Sequence, residues 1–180
     1  MDSTVERQDL LETLTKHRHF LRLTVENLTD EQAARVPTVS ALALNGLIKH
    51  VADTEDDWAR FMVHGAAAEE DSGEDQDWTA NGEEPGDGQG AGRDPRFVVD
   101  SGTTLADLIR HYEEVAARTD ALISTVDLDS SHPLPPAPWF EPGTRWTARR
   151  VLLHIIAETA QHAGHADIIR ESIDGAKSMG

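Results

Sequence analysis

The sequence predicts an all-α protein: an antiparallel four-helix bundle with long loops between helices two and three and between helices three and four. The first observation is that four stretches of roughly 20 residues carry apolar side chains at helical spacing. The second is that no stretch alternates apolar and polar residues as a β-strand would. The third is that the two long connections leave room for a crossover between helices. We expect a single domain over residues 1–180.

The first part of the chain is predicted to form two long helices. The first spans residues 4–27, and its basic run at 16–19 is expected on a solvated face. Thr29, followed three residues later by Gln32, fits a capping box and predicts a short helical turn. The second long helix spans residues 41–64 and carries an apolar face along its length.

An acidic connection follows, and we predict a loop over residues 66–100. Residues 66–94 contain ten acidic residues and one basic residue, Arg93. Charge runs of this kind are usually solvated. The connection is longer than those of most compact domains, so we expect either a flexible excursion or a lid that carries Trp78.

The second part of the chain is predicted to supply the other two helices. The third helix spans residues 104–126, and a proline-rich loop follows over residues 127–146. Thr147 is a suitable N-cap for the fourth helix. This helix is expected to end near Gly175, since glycine is the preferred residue just after a helix.

Composition limits the functions that the chain can have. It contains no cysteine, so any transition-metal site must use histidine and carboxylate side chains. Its formal net charge of −17 argues against a nucleic-acid partner, because phosphate binding needs a basic surface. No apolar stretch is long enough to cross a membrane, and the N-terminus lacks the order of a signal peptide. We therefore expect a cytoplasmic protein with no membrane partner.

The most informative feature lies in the last predicted helix, where His154, Glu158, His162 and His165 share one stripe. At about 100° per residue, all four side chains fall within roughly 40° of Glu158 around the helix axis. Ionisable groups on an inward face cost several kcal/mol unless they are paired, hydrogen-bonded or coordinated. A bound divalent metal would remove that cost, and it is the main functional hypothesis.

Two ligand sets are compatible with this stripe. Glu158 and His162 are four residues apart and can bind one metal from successive turns, with His50 of the second helix as the third ligand. Three ligands would leave a position open for water or substrate, as in catalytic zinc sites, and iron or nickel would also accept them. His165, however, lies nearer the centre of the stripe than His162 does. A set of His50, His162 and His165, with Glu158 as a base, therefore stays open.

Three segments of the sequence, at residues 23–32, 44–55 and 152–167, resemble the DinB-like superfamily. More narrowly, they are similar to its actinobacterial branch of "mini-circle"-type proteins, which are largely uncharacterised. The resemblance covers most of the chain outside the acidic segment. It implies a four-helix bundle that binds a divalent metal, often zinc or nickel.

The resemblance also implies a ligand set. In the superfamily one ligand is a histidine of the second helix, and two ligands come from the fourth helix at positions i and i+4. These positions correspond to His50, Glu158 and His162 in this sequence. A glutamate at the middle position resembles the mycothiol-dependent maleylpyruvate isomerases. His165 stands where many relatives carry glutamine and is expected to line the pocket.

The function implied by this resemblance is that of a metal-dependent thiol transferase or isomerase using mycothiol, or a hydrolase of a small molecule. His165 or His154 would move the proton. Arg145, Arg149 and Arg150, near the start of the last helix, would bind an anionic group of the cofactor or substrate. The alternative is a non-catalytic, metal-stabilised binding or stress-response module. Related bundles often pair, which is compatible with a homodimer.

Overall fold

The computed structural model describes residues 3–68, 94–138 and 140–178. Most of the predicted acidic loop, including Trp78, lies outside the described residues. Within them the chain is largely helical, which confirms the all-α class. None of the described helices is both long and apolar enough to cross a membrane.

Four long helices and one short helix form the bundle, at positions close to those predicted. They are α1 (Ser3–Leu23), α2 (Asp30–Ala33), α3 (Leu44–His64), α4 (Leu105–Thr125) and α5 (Ala148–Asp174). Single 3₁₀ turns cover Gly65–Ala68 and Pro95–Phe97. The predicted capping box joins Thr29 and Gln32, and Thr147 caps α5 by accepting a hydrogen bond from the Arg150 N–H. Gly175 ends α5 in the left-handed conformation that glycine adopts readily.

A short antiparallel sheet was not predicted from the sequence. Strand β1 (Ser131–Pro133) pairs with strand β2 (Arg145–Thr147) inside the proline-rich connection, and His132 lies opposite Trp146. Strands of three residues are too short to show an alternating pattern. Because β2 runs directly into α5, the sheet fixes the position of Trp146 at the start of that helix.

Two apolar clusters in the core show in which direction each helix runs. The first cluster includes Leu21, Leu47, Leu108 and Ala166, and the second includes Leu14, Met62, Ile123 and Leu152. Along α1 and α5 the chain meets the second cluster before the first, whereas along α3 and α4 it meets them in the opposite order. Helices α3 and α4 are therefore parallel to each other and antiparallel to α1 and α5. The connection between α3 and α4 is thus a crossover, for which the long loops leave room.

A layer of buried polar residues separates the two clusters. Its members are Arg18 on α1, Glu55 on α3, Thr119 on α4 and Thr159 on α5. Arg18 donates from Nε to Oε2 of Glu55 at 3.0 Å and from Nη1 to Oδ1 of Asp120 at 2.7 Å. The expectation that residues 16–19 form a solvated face is wrong for Arg18, which is 5 % exposed, because its carboxylate partner Glu55 lies inside the bundle. One guanidinium group therefore links three helices.

We expect Arg18→Met to lower the free energy of unfolding by about 3–5 kcal/mol, because it leaves Glu55 buried without its partner. Urea unfolding measures the loss. Adding Glu55→Leu should recover most of it, since an apolar pair of similar volume replaces the ion pair.

The matched control is Arg22→Met, which removes another ion pair between α1 and α4. Arg22 and Glu113 are both exposed, so this variant should lose less than about 1 kcal/mol. Equal losses in Arg18→Met and Arg22→Met would contradict the assigned importance of the buried layer.

Candidate metal centre

The structure brings His50 of α3 together with Glu158 and His162 of α5. Each residue offers one ligand atom, and the three atoms lie within 4.8 Å of one another. The imidazole rings of His50 and His162 meet edge to face, with their centroids 4.8 Å apart. Nε2 of His162 lies 3.6 Å from Oε2 of Glu158. All three side chains face the seam between α3 and α5, beside the first apolar cluster.

These distances fit a shared cation better than direct bonding between the side chains. A separation of 3.6 Å is too long for a hydrogen bond. Ligand atoms placed tetrahedrally about a zinc ion at ordinary bond lengths are roughly 3.3 Å apart. A small inward movement of the three side chains would therefore bring their ligand atoms to the separation that zinc requires. Nδ1 of His162 is buried and has no hydrogen-bond partner among the described residues. The described residues therefore leave this nitrogen unsatisfied, which is costly inside a bundle.

The electrostatics keep His50 and Glu158 in the protonation states that metal binding requires. Burial, followed by repulsion from His162 and Arg96, lowers the pKa of His50 to about 4. The neighbouring His162 also lowers the pKa of Glu158, which is consequently an anionic carboxylate at neutral pH. Metal ligands must be deprotonated, so protons do not compete for His50 or Glu158 near pH 7.

His165 occupies a different position from the one that the helical wheel suggested. The buried face of α5 centres near Thr159, so the stripe runs along the edge of that face. His162 is its innermost member, at 8 % exposure, while His165 is exposed with its ring centroid 5.6 Å from that of His162. Of the two ligand sets left open, the structure brings together the one that contains Glu158.

Phe97 covers one side of the ligand cluster formed by His50, Glu158 and His162. This contact was not predicted from the sequence. The ring centroid of Phe97 is 4.2 Å from that of His50 and 6.0 Å from that of His162. This approach depends on Gly46, one turn before His50, because a Cβ atom there would overlap the carbonyl oxygen of Phe97. The one available signal was an isolated glycine inside a helical pattern, which often marks close packing.

His154 lies on the other side of the cluster, against an aromatic pair. Its Nε2 is 3.9 Å from Oε1 of Glu158, the carboxylate oxygen that does not face His162. Its ring packs edge to face against Trp58 and Trp146, which stack on each other with centroids 5.0 Å apart. Burial lowers the pKa of His154, so its imidazole is neutral beside the carboxylate.

Comparison with known protein families places this geometry in context. Residues 9–175 match the mycothiol-S-transferase family, which is DinB-like. The chain belongs to the mycothiol-S-transferase family. This finding confirms the resemblance to the DinB-like superfamily. No curated protein matches the chain.

A solved structure also resembles this member of the mycothiol-S-transferase family. It is described as the conserved protein of a locus from Enterococcus faecalis, and its TM-score is 0.66 at 18 % sequence identity. The alignment covers 94 % of this chain and 97 % of the other. A likeness at this identity supports the fold alone.

The three arginines near the start of α5 are placed differently from one another. Arg149 forms ion pairs with Glu6 and Asp129. Arg145 donates hydrogen bonds to the side chain and the backbone carbonyl of Ser131. Arg150 is exposed, and its Cζ lies 4.4 Å from the centroid of the Trp146 ring. Only Arg150 among the three therefore keeps its guanidinium group on the aromatic side of the cluster.

We expect Gly46→Ala to displace the turn at Pro95–Phe97 and to uncover His50. The overlap with a backbone carbonyl should lower the free energy of unfolding by about 1–3 kcal/mol. Mass spectrometry should show faster carbethoxylation of His50 by diethyl pyrocarbonate, and urea unfolding gives the stability.

Gly164→Ala is the matched control, because a Cβ at this helical glycine meets nothing within 4 Å. It should raise stability by roughly 0.5–1 kcal/mol through helix propensity. The same rate of His50 modification in both variants would show that Gly46 does not hold Phe97 in place.

The lowered pKa of His50 predicts how the metal-free protein responds to pH. The unfolded chain takes up a proton at this position near pH 6.5, whereas the folded chain does so only near pH 4. The free energy of unfolding should therefore fall as the pH falls between these values, by up to about 1.4 kcal/mol per pH unit from this group. Urea unfolding in EDTA at several pH values measures the slope. A His50→Asn variant with an unchanged slope would refute this assignment.

Proposed function

We propose that this chain is a divalent-metal-dependent mycothiol transferase that acts on a small electrophilic substrate. The observation that carries the proposal is the convergence of His50, Glu158 and His162 in a member of the mycothiol-S-transferase family. The three side chains would hold the metal, and mycothiol would be the thiol co-substrate. Zinc is the metal that best suits two imidazoles and one carboxylate, and iron or nickel would also accept them.

The chemistry that a divalent cation supplies when bound is a lowered pKa for a nearby thiol, which yields the thiolate near neutral pH. The protein's contribution begins with charge. Two neutral imidazoles and the single carboxylate of Glu158 neutralise only half of the charge of a dication. The ligand set therefore favours an incoming anion such as a thiolate over a neutral group. A site with three carboxylates would disfavour the binding of a thiolate, because its ligands would already outweigh the charge of the dication.

The surroundings of the ligands support a transfer reaction. Phe97 on one side and the stacked Trp58 and Trp146 on the other limit the access of water to the cluster. In the reaction the sulfur forms a bond to an electrophilic carbon, and the leaving group departs with the bonding electrons. His165 is exposed beside His162, so it can accept the thiol proton and release it to solvent. His154, beside Oε1 of Glu158, would orient the carboxylate.

We expect the wild-type protein to bind one equivalent of zinc per chain, and His50→Ala or His162→Ala to weaken binding by at least about 100-fold. Competition with a chromophoric chelator measures the affinity. His111→Ala is the matched control: His111 faces Asp53 on the exposed side of α4 and should bind zinc as the wild type does.

A second measurement tests the thiol. Addition of mycothiol to the cobalt-loaded protein should produce the intense absorption of a thiolate bound to cobalt. Unchanged zinc affinity in both histidine variants would end the proposed metal site. Zinc binding without any thiolate absorption would leave the metal site and end the proposed transferase.

A further inference from the structure

We propose that Arg150, held over Trp146, binds a carboxylate at the far end of the substrate, about two helical turns from the metal ligands. This inference rests on the function proposed above. It adds the class of molecule that the site accepts: an elongated anion whose reacting group and carboxylate lie at opposite ends.

A row of side chains that begins in β2 and continues along α5 connects the two ends. Arg150, His154, Glu158 and His162 follow one another on α5 at intervals of four residues, so each lies about one turn beyond the last. Trp146 of β2 precedes them. Neighbours in the row are in contact or close to it. The Arg150 Cζ is 4.4 Å from the Trp146 ring, whose centroid is 5.1 Å from that of His154. Nitrogen–oxygen distances of 3.9 Å and 3.6 Å then lead through Glu158 to His162.

The charge of Arg150 is not neutralised by any carboxylate of the described residues. The chain has a formal net charge of −17, yet no carboxylate of the described residues forms an ion pair with Arg150. Arg149, the preceding residue, has two carboxylate partners. Arg150 instead lies over the indole ring of Trp146, and its N–H groups have no carboxylate partner among the described residues. These groups are the part of arginine that binds a carboxylate through two parallel hydrogen bonds.

The spacing sets the length of the ligand. Eight residues separate Arg150 from Glu158, which corresponds to about 12 Å along the helix axis. The side chains that line the space between them are His154, Trp58 and Trp146. Such a lining suits an apolar or ring-shaped middle section and offers no second cation. A short anion could therefore reach the metal ligands or Arg150, but not both.

Thiols with carboxylate tails provide a direct test on the cobalt-loaded, full-length protein. The probes are mercaptooctanoic acid, mercaptooctanol and mercaptopropionic acid, each titrated while the thiolate absorption of cobalt is recorded. The long acid should bind about 10-fold more tightly than the long alcohol, as expected for a hydrogen bond to a charged group. Mercaptopropionic acid should bind no more tightly than mercaptooctanol, because it is too short to reach Arg150 from the metal.

Variants assign the effect to Arg150. Arg150→Gln should remove the preference for the long acid over the alcohol while the cobalt spectrum before thiol addition stays unchanged. Arg150→Lys should retain part of the preference, since lysine keeps the positive charge but lacks the paired N–H donors of the guanidinium group. Arg35→Gln is the matched control, because Arg35 is also exposed and has no carboxylate partner among the described residues. It should leave the preference intact.

The outcomes separate this inference from the proposed function. Thiolate absorption with equal affinities for the long acid and the long alcohol would overturn the role of Arg150 and leave the transferase proposal standing. A preference for the long acid that persists in Arg150→Gln would lead to the same conclusion. No thiolate absorption with any probe, nor with mycothiol, would overturn both.

Discussion

The central constraint in this structure is that the imidazoles of His50 and His162 and the carboxylate of Glu158 face a common space without forming hydrogen bonds to one another. Their ligand atoms lie within 4.8 Å, yet no hydrogen bond joins them. Buried polar groups are normally paired, so an arrangement of this kind needs either a partner or rigid support. A cation is the partner that the donor types suit. The bundle supplies the support.

That support comes from the way the helices are held. Helices α3 and α5 are antiparallel neighbours, so His50 lies opposite His162 while Trp58 lies opposite His154. The buried ion pair of Arg18 with Glu55 and its second ion pair with Asp120 connect α1, α3 and α4 between the two apolar clusters. They limit sliding between these helices. The close contact between Gly46 and Phe97 then closes the end nearest His50. The ligand geometry is therefore a property of the whole bundle.

The sequence was sufficient to predict the helices, most of their caps and the three residues that converge. Local signals carry this information: apolar spacing marks each helix, and threonine or glycine marks its ends. The ligand set was less certain, because a helical wheel gives the angles between His162, Glu158 and His165 but not which angle faces the core. The resemblance to the DinB-like superfamily favoured the set that the structure brings together.

Features that depend on tertiary contacts could not be predicted from the sequence. Arg18 lies in a basic run, and its burial follows only from the position of Glu55 on another helix. Phe97 reaches His50 from a segment without regular pattern. The three arginines near the start of α5 are alike in sequence, yet Arg150 lies over Trp146 while Arg149 is neutralised by acids from α1 and the proline-rich connection. No local rule distinguishes them.

The most direct test of the central claim is X-ray diffraction from zinc-loaded crystals, with data collected on both sides of the zinc absorption edge. The anomalous difference map should contain a peak between α3 and α5, about 2.0–2.2 Å from one nitrogen each of His50 and His162 and one oxygen of Glu158. A map without that peak, or with zinc bound only elsewhere on the chain, would contradict the account.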